Sequence, residues 1–391
     1  MTMKRMSKYN ILDNCSSIMF ALAIYAYYFQ FPVRALSFVI VPACFFFLLL
    51  NFRQIIRGFN TQTFCLYCAL VIYLLFSAVI SAFSQTAVTR IIRFIMILTL
   101  IPLFFNLKYF DDMMRKKMTS VFIFASVLKS FVVISLGIWC MYTDGWEILR
   151  EWVQEHNLGD VYPSSYFIPK IQIVGNPLLL FAFFLHYSNK KKIDFWGIIF
   201  IAAIVFAGNF AFILGLFFFI VYQVYRLLLS KKNRYGYLTP IVMLFLGFFI
   251  IIFSCFTLNQ QKEKSGYSNI IRYEQAAVLT NTNFFFGSGL GNYIEVNTSF
   301  RKYDGDTYFE LQTLYIYNQI GFLGLFLFYL LTLYQVYQVS RNYKEILVLY
   351  LIYMIYSFWN PYCFDATQMI VGVLINVFAI NEKRDSSVVN R

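Results

Sequence analysis

From Phe195 to Tyr225 the chain reads FWGIIFIAAIVFAGNFAFILGLFFFIVYQVY, with no charged residue in it. A helix rises about 1.5 Å per residue and a membrane crossing takes roughly 20 apolar residues. This run is too long for one crossing and too apolar for the surface of a soluble protein. Gly208-Asn209 is its one turn signal. A glycine and an asparagine there split the run into two spans, near 194–209 and 210–229.

Comparable runs recur on both sides, near 15–32, 35–51, 63–83, 88–106, 119–141, 173–188, 238–257, 309–334, 345–359 and 365–381. The pattern predicts an all-α polytopic integral membrane protein, a single transmembrane domain of about 12 transmembrane helices. Composition points the same way. Of 391 residues, 60% are apolar, 21% are aromatic and only 13% are charged, against about 25% charged in soluble domains. The seven cysteines are scattered, and Cys65-x-x-Cys68 lies in an apolar run without a histidine nearby. These are read as packing thiols, and no metal site is expected. The run following the polar, basic start is read as a retained helix, because no small-residue cleavage site follows it.

The formal charge of +13 invites a nucleic-acid reading, but the placement of the charge argues against it. With an inner N-terminus, the inner segments hold Lys4, Arg5 and Lys8; Arg53 and Arg57; Lys108 and Arg115 to Lys117; Lys190 to Lys192; Arg226, Lys231, Lys232 and Arg234; Arg341 and Lys344; and Lys383, Arg384 and Arg391. That is 21 of 32 basic residues. This positive-inside bias favours both termini on the cytoplasmic side, including the tail 382–391, with membrane lipid and not nucleic acid as the partner. It also puts the two long polar stretches, 143–172 and 259–308, on the outer face.

Four ionisable residues fall within or beside apolar runs. Lys129 is too deep for easy snorkelling and is expected to face a cavity, either paired or meeting an anionic ligand. Arg90 and Arg93 are within about two turns of an outer end, where snorkelling competes with a cavity role. His186, near the inner end of its span, is read as structural.

The second outer stretch carries Ser268-Asn-Ile-Ile-Arg272-Tyr-Glu274-Gln275, then Asn283-Phe-Phe-Phe-Gly287-Ser-Gly289-Leu-Gly291-Asn292. It ends in Tyr308-Phe-Glu310-Leu-Gln312, which leads into a span with Asn318-Gln319-Ile-Gly321-Phe-Leu-Gly324. The first ends in Lys170-Ile-Gln172-Ile-Val-Gly175-Asn176-Pro177. In order and spacing, over roughly 165–335, these segments resemble the O-antigen polymerase and O-antigen ligase superfamily of bacterial inner-membrane proteins. The ligases carry a histidine near the span after the large loop. Here 259–335 has none, and Glu310 and Gln312 occupy that neighbourhood, which favours the polymerase branch. Two further departures are Lys170 where arginine is usual, and Asn209-Phe-Ala where the family has a Ser-Arg-rich helix entry.

The resemblance implies a substrate and a reaction. An oligosaccharide repeat on undecaprenyl diphosphate would be joined to another at the periplasmic face of the inner membrane by glycosyl transfer, without cofactor or metal. It also implies a flippase and a chain-length regulator as partners. Arg272 is the expected cation for the departing diphosphate, because a guanidinium can bind two phosphate oxygens at once, with Lys170 second. Glu310 is the expected base for the attacking hydroxyl, with Glu274 and Asp306 behind it. Gly287, Gly289 and Gly291 allow positive φ, either as a phosphate cradle or as a structural turn. Gln312 and Gln319 share a helix face and would bond sugar or a neighbouring helix, and Lys129 completes the substrate-binding set. Trp139, Trp146 and Trp152 in the first loop suit either a glycan track or an interfacial belt. The alternatives are the ligase branch, a flippase for the same lipid-linked repeat, and a non-catalytic scaffold. Few intramembrane charges and no visible repeat speak against transport.

Overall fold

The computed structural model describes residues 2–83, 86–107, 112–143, 145–162, 168–229, 267–299, 302–303, 309–341, 344–358 and 360–378. The expected span near 238–257, the tail 382–391, Asp144 and Asp306 lie outside the described residues.

Among the described residues the chain is helical, with two short hairpins. In order it forms α1 (Thr2–Phe29), α2 (Ser37–Leu50), α3 (Phe52–Gly58), α4 (Thr61–Phe83), α5 (Val88–Phe104), α6 (Asp112–Thr143), α7 (Trp146–Glu155), β1 (Gly159–Tyr162), β2 (Lys170–Ile173), α8 (Pro177–Lys190), α9 (Phe195–Ala207) and α10 (Phe210–Leu229). It continues with α11 (Tyr267–Leu279), β3 (Val296–Asn297), β4 (Lys302–Tyr303), α12 (Gln312–Ser340), α13 (Lys344–Phe358) and α14 (Ala366–Phe378).

Among the described residues, α4, α6 and α12 are each long and apolar enough to cross a membrane. The segment Arg34–Leu50 and α3 would add a fourth crossing if taken together, although they bend by 68° at Asn51. The remaining expected spans that fall on described residues hold apolar helices, several of them short. The described part of α14 runs over 13 residues, about 20 Å. Every residue from Thr367 to Phe378 is buried. A helix apolar all round belongs in the middle of a bundle, and α14 lies there, packed on α2, α5, α6 and α8.

The longer helices differ. α4 exposes Phe64, Ile72, Leu75, Phe76 and Val79 along one side and packs its other side on α5 and α12. Apolar surface on this scale suits lipid and would be a liability in water. The Gly208-Asn209 signal is a real break: Gly208 adopts the left-handed conformation (φ 60°) that ends α9, and the Asn209 side chain accepts the Ala211 amide at 2.9 Å to start α10.

Candidate functional site

The first long polar stretch folds as a helix and a hairpin. β1 and β2 pair antiparallel, with Asp160 opposite Gln172 and Tyr162 opposite Lys170. Alternation along a strand sends Val161, Ile171 and Ile173 into the core and leaves Asp160, Tyr162, Lys170 and Gln172 on the other face. Arg150 of α7 braces that polar face. Its Nε donates to Asp160 Oδ1 at 3.0 Å, and its guanidinium lies 5.4 Å from the Tyr162 ring centre. Desolvation, then the carboxylates of Asp160 and Glu310, raise the Tyr162 phenol above its ordinary range.

Lys170 lies along the break between α9 and α10. A methyl group on Gly208 would sit 2.4 Å from Lys170 Cγ, so only glycine admits this approach. Burial pushes the Lys170 ammonium down from its ordinary value. Gln172 donates to the Gly208 carbonyl at 3.4 Å.

After β2 the chain turns at Gly175 (φ 91°) against the backbone of Tyr27 and Tyr28. Lys129 lies beneath this turn. It is fully buried, its Nζ donates to the Val174 carbonyl at 2.8 Å, and it rests 5.4 Å from the Phe31 ring centre. Its partners are thus a carbonyl and a ring, and it is closed to solvent.

The second long polar stretch builds its own small core from Leu279, Ile294, Val296, Tyr303 and, just past it, Phe309, Leu311 and Tyr315. Arg272 projects from α11 beside this core. Its Nε donates to Glu310 Oε2 at 3.0 Å, and the Tyr303 hydroxyl donates to Glu310 Oε1 at 3.3 Å. The pair is open on one side: the Arg272 side chain is 42% exposed and that of Glu310 23%. Among the described residues, Nε is the one guanidinium atom engaged. The two residues expected to do chemistry are therefore in contact, and Tyr162 of the first loop lies near enough for the Glu310 charge to act on it. Glu274, the runner-up base, is used otherwise. It accepts the Ser299 amide at 2.9 Å and hydroxyl at 2.5 Å, bonds that hold its carboxyl below the ordinary value.

The glycine turn forms a splice with α12. Gly321 breaks that helix with φ 62° and ψ −173°. Ser288 and Gly289 amides donate to the Asn318 and Gln319 carbonyls at 2.7 and 3.0 Å, while Phe322 and Leu323 amides donate to Phe284 and Phe285 carbonyls at 2.8 and 3.2 Å. Gly287 donates to Asn283 O at 2.9 Å. The amides of Gly287, Ser288 and Gly289 are committed within the fold and do not present themselves to a phosphate. Gly291 lets the chain lie on α5, where a methyl group would be 2.9 Å from Arg90 Cβ. The Arg90 guanidinium lies 4.6 Å from the Tyr293 ring centre, and Arg93 is exposed.

Gln312 accepts the Phe364 amide at 3.3 Å and Gln319 donates to the Asn292 carbonyl at 3.2 Å, so both tie segments of protein together. Trp152 packs edge-on to Phe31, with ring centres 5.6 Å apart, and stacks on His156 at 4.5 Å. His186 bonds Asp194 at 2.7 Å, as a structural residue would.

Sequence reasoning missed Tyr303, Tyr162 and the Arg150–Asp160 brace. The alternation over Gly159–Tyr162 was the one local signal for any of them. Among the described residues no three His, Cys, Asp or Glu side chains gather as metal ligands would. No family model, curated protein or solved structure matches the chain.

Proposed function

We propose that this chain is a polysaccharide polymerase of the bacterial inner membrane, with about twelve spans, both termini inside and both long loops in the periplasm. It would join oligosaccharide repeats carried on undecaprenyl diphosphate. The observation that carries this reading is the half-open Arg272–Glu310 pair, closed by Tyr303 and bordered by Tyr162 of the other loop.

The chemistry follows from competition for one cation. An incoming diphosphate offers oxygens that outbid Glu310 for the guanidinium, and a fork of N–H groups meets two of them at once. Glu310, released from Arg272, becomes a stronger proton acceptor. The acceptor hydroxyl attacks the anomeric carbon, its proton passes to Glu310, and the bond from that carbon to the diphosphate oxygen breaks. Negative charge grows on the leaving undecaprenyl diphosphate, where Arg272 stabilises the transition state more than the ground state. Tyr303 keeps its hydrogen bond to Glu310 and holds the carboxyl in place. Lys170 adds a second positive charge at the rim of the first loop.

The test is a deletion strain complemented with variants. Arg272→Ala is expected to leave the protein in the membrane and reduce surface glycan to single repeats, with a rate loss of about 10²–10³-fold. Arg272→Lys should retain part of chain growth, since charge stays and the fork is lost. Normal polymer length in Arg272→Ala refutes the assignment. Long polymer stranded on the carrier in the deletion strain would point to the ligase branch, and unexported repeats to a flippase.

A further inference from the structure

On its exposed side α11 carries apolar residues around Glu274, whose carboxylate is taken by the Ser299 amide and hydroxyl, although the helix lies outside every predicted span. Ile270, Tyr273 and Val278 are exposed there, Tyr273 by 77%, while Gln275 and Leu279 turn inward. Three exposed rings follow in sequence, Phe284, Phe285 and Phe286.

These rings are continuous with two helices long and apolar enough to cross a membrane. Phe284 stacks on Phe322 of α12, with centres 5.3 Å apart and planes at 14°, and Phe322 stacks on Phe326 at 5.9 Å. On the other side, Phe286 meets Phe76 of α4 edge-on at 5.8 Å. Phe76, Phe322 and Phe326 are themselves exposed, so one aromatic surface runs from α4 across the loop to α12.

The backbone gives a second, independent indication. Non-helical chain survives at membrane depth only where protein satisfies its polar groups. Here every amide from Phe285 to Gly289 has a protein acceptor. Phe285 and Phe286 donate to Asn283 Oδ1, both at 3.0 Å, and Gly287, Ser288 and Gly289 donate to the Asn283, Asn318 and Gln319 carbonyls. The Phe284 and Phe285 carbonyls are taken by α12, and Tyr73 also reaches Phe285 O at 3.3 Å. Most of the turn's polar backbone is thus met by protein, as depth in a membrane requires.

We propose that Asn283–Gly287 is a re-entrant loop whose phenylalanine rings sit among lipid acyl chains, and that α11 lies along the interface with Ile270, Tyr273 and Val278 turned to lipid. An amphipathic helix of this kind lies in the plane of the membrane surface. The placement rests on α4 and α12 being spans, not on the polymerase reading. It deepens that reading in one respect: Arg272, next to Tyr273, is held at headgroup level, where a lipid-linked diphosphate presents its phosphates.

The test uses the full chain in nanodiscs of phosphatidylethanolamine and phosphatidylglycerol, with the photo-crosslinking amino acid benzoylphenylalanine placed singly at Phe285, Tyr273, Phe326 or Glu295. After illumination, lipid adducts are read by intact mass. Adduct yields at Phe285 and Tyr273 are expected to match Phe326 and to exceed exposed, charged Glu295 by about tenfold, as acyl-chain contact requires. Yields at Phe285 as low as at Glu295 would overturn the re-entrant placement, as would chain-to-chain adducts there in place of lipid ones. Adducts at Phe285 with none at Tyr273 would overturn the interfacial placement of α11. Each position stands alone, so one variant that misfolds leaves the other to decide. Because crosslinking needs no turnover, the result is separate from whether the chain polymerises sugar.

Discussion

Gly321→Ala should be among the most damaging single methyl additions in this protein. The residue has φ 62° and ψ −173°, a region open essentially to glycine alone, and holding another residue there costs about 1–3 kcal/mol. The methyl group adds a direct collision. It would lie 2.3 Å from the Phe285 carbonyl oxygen and 2.5 Å from the Gly287 nitrogen, both backbone atoms that no rotamer change can move. Relief requires the loop to retreat from α12, which loosens the hydrogen bonds of Phe322 and Leu323 to that loop. Each such bond is worth about 0.5–1.5 kcal/mol net. The sum of the strain and the two bonds is about 2–6 kcal/mol. Gly197→Ala is the control: that glycine lies in the ordinary helix of α9, and its methyl group would meet nothing closer than Ile193 Cγ2 at 3.3 Å. Thermal unfolding in detergent should show Gly321→Ala well below wild type and below Gly197→Ala. Polymer length should fall with it, since Glu310 leads into the same helix. A Gly321→Ala protein as stable as wild type would refute the splice, meaning α12 can straighten without cost.

Two further outcomes follow from named groups. Buried Glu345 gathers Ser188 at 2.7 Å, Lys191 at 2.9 Å and Arg226 at 2.6 Å. Because both cations are themselves partly exposed, Glu345→Gln should cost only about 1–2 kcal/mol, read as a modest drop in detergent melting midpoint. Tyr303→Phe, which removes one bond to Glu310 and keeps the ring in its core, should slow chain growth without lowering protein level; unchanged polymer would mean Glu310 needs no such support.

The helices were legible because hydropathy is local. Each expected span on described residues contains a helix, and Gly208-Asn209 marks the break it promised. Helix length was less legible: α8 and α9 are shorter than their apolar runs suggested, since burial inside a bundle and burial in lipid ask for the same side chains. The site was legible residue by residue but not as a constellation. From sequence, the natural partner for Arg272 is Glu274, two positions away. On a helix such residues point to different sides, and in the fold Glu274 turns to Ser299 while Arg272 reaches Glu310, 38 residues on. The glycines show the same limit from the other side. Positive φ was foreseeable at Gly287, Gly289 and Gly291, but the acceptors of their neighbourhood come from a helix whose own break at Gly321 carries no local signature beyond another glycine. Long-range pairing of this kind decides what the residues can do. A free arginine in a loop would bind any anion, whereas one already paired to a carboxylate would release a base if a phosphate took its place, and under the proposed function that exchange would couple recognition of the leaving group to activation of the attacking hydroxyl.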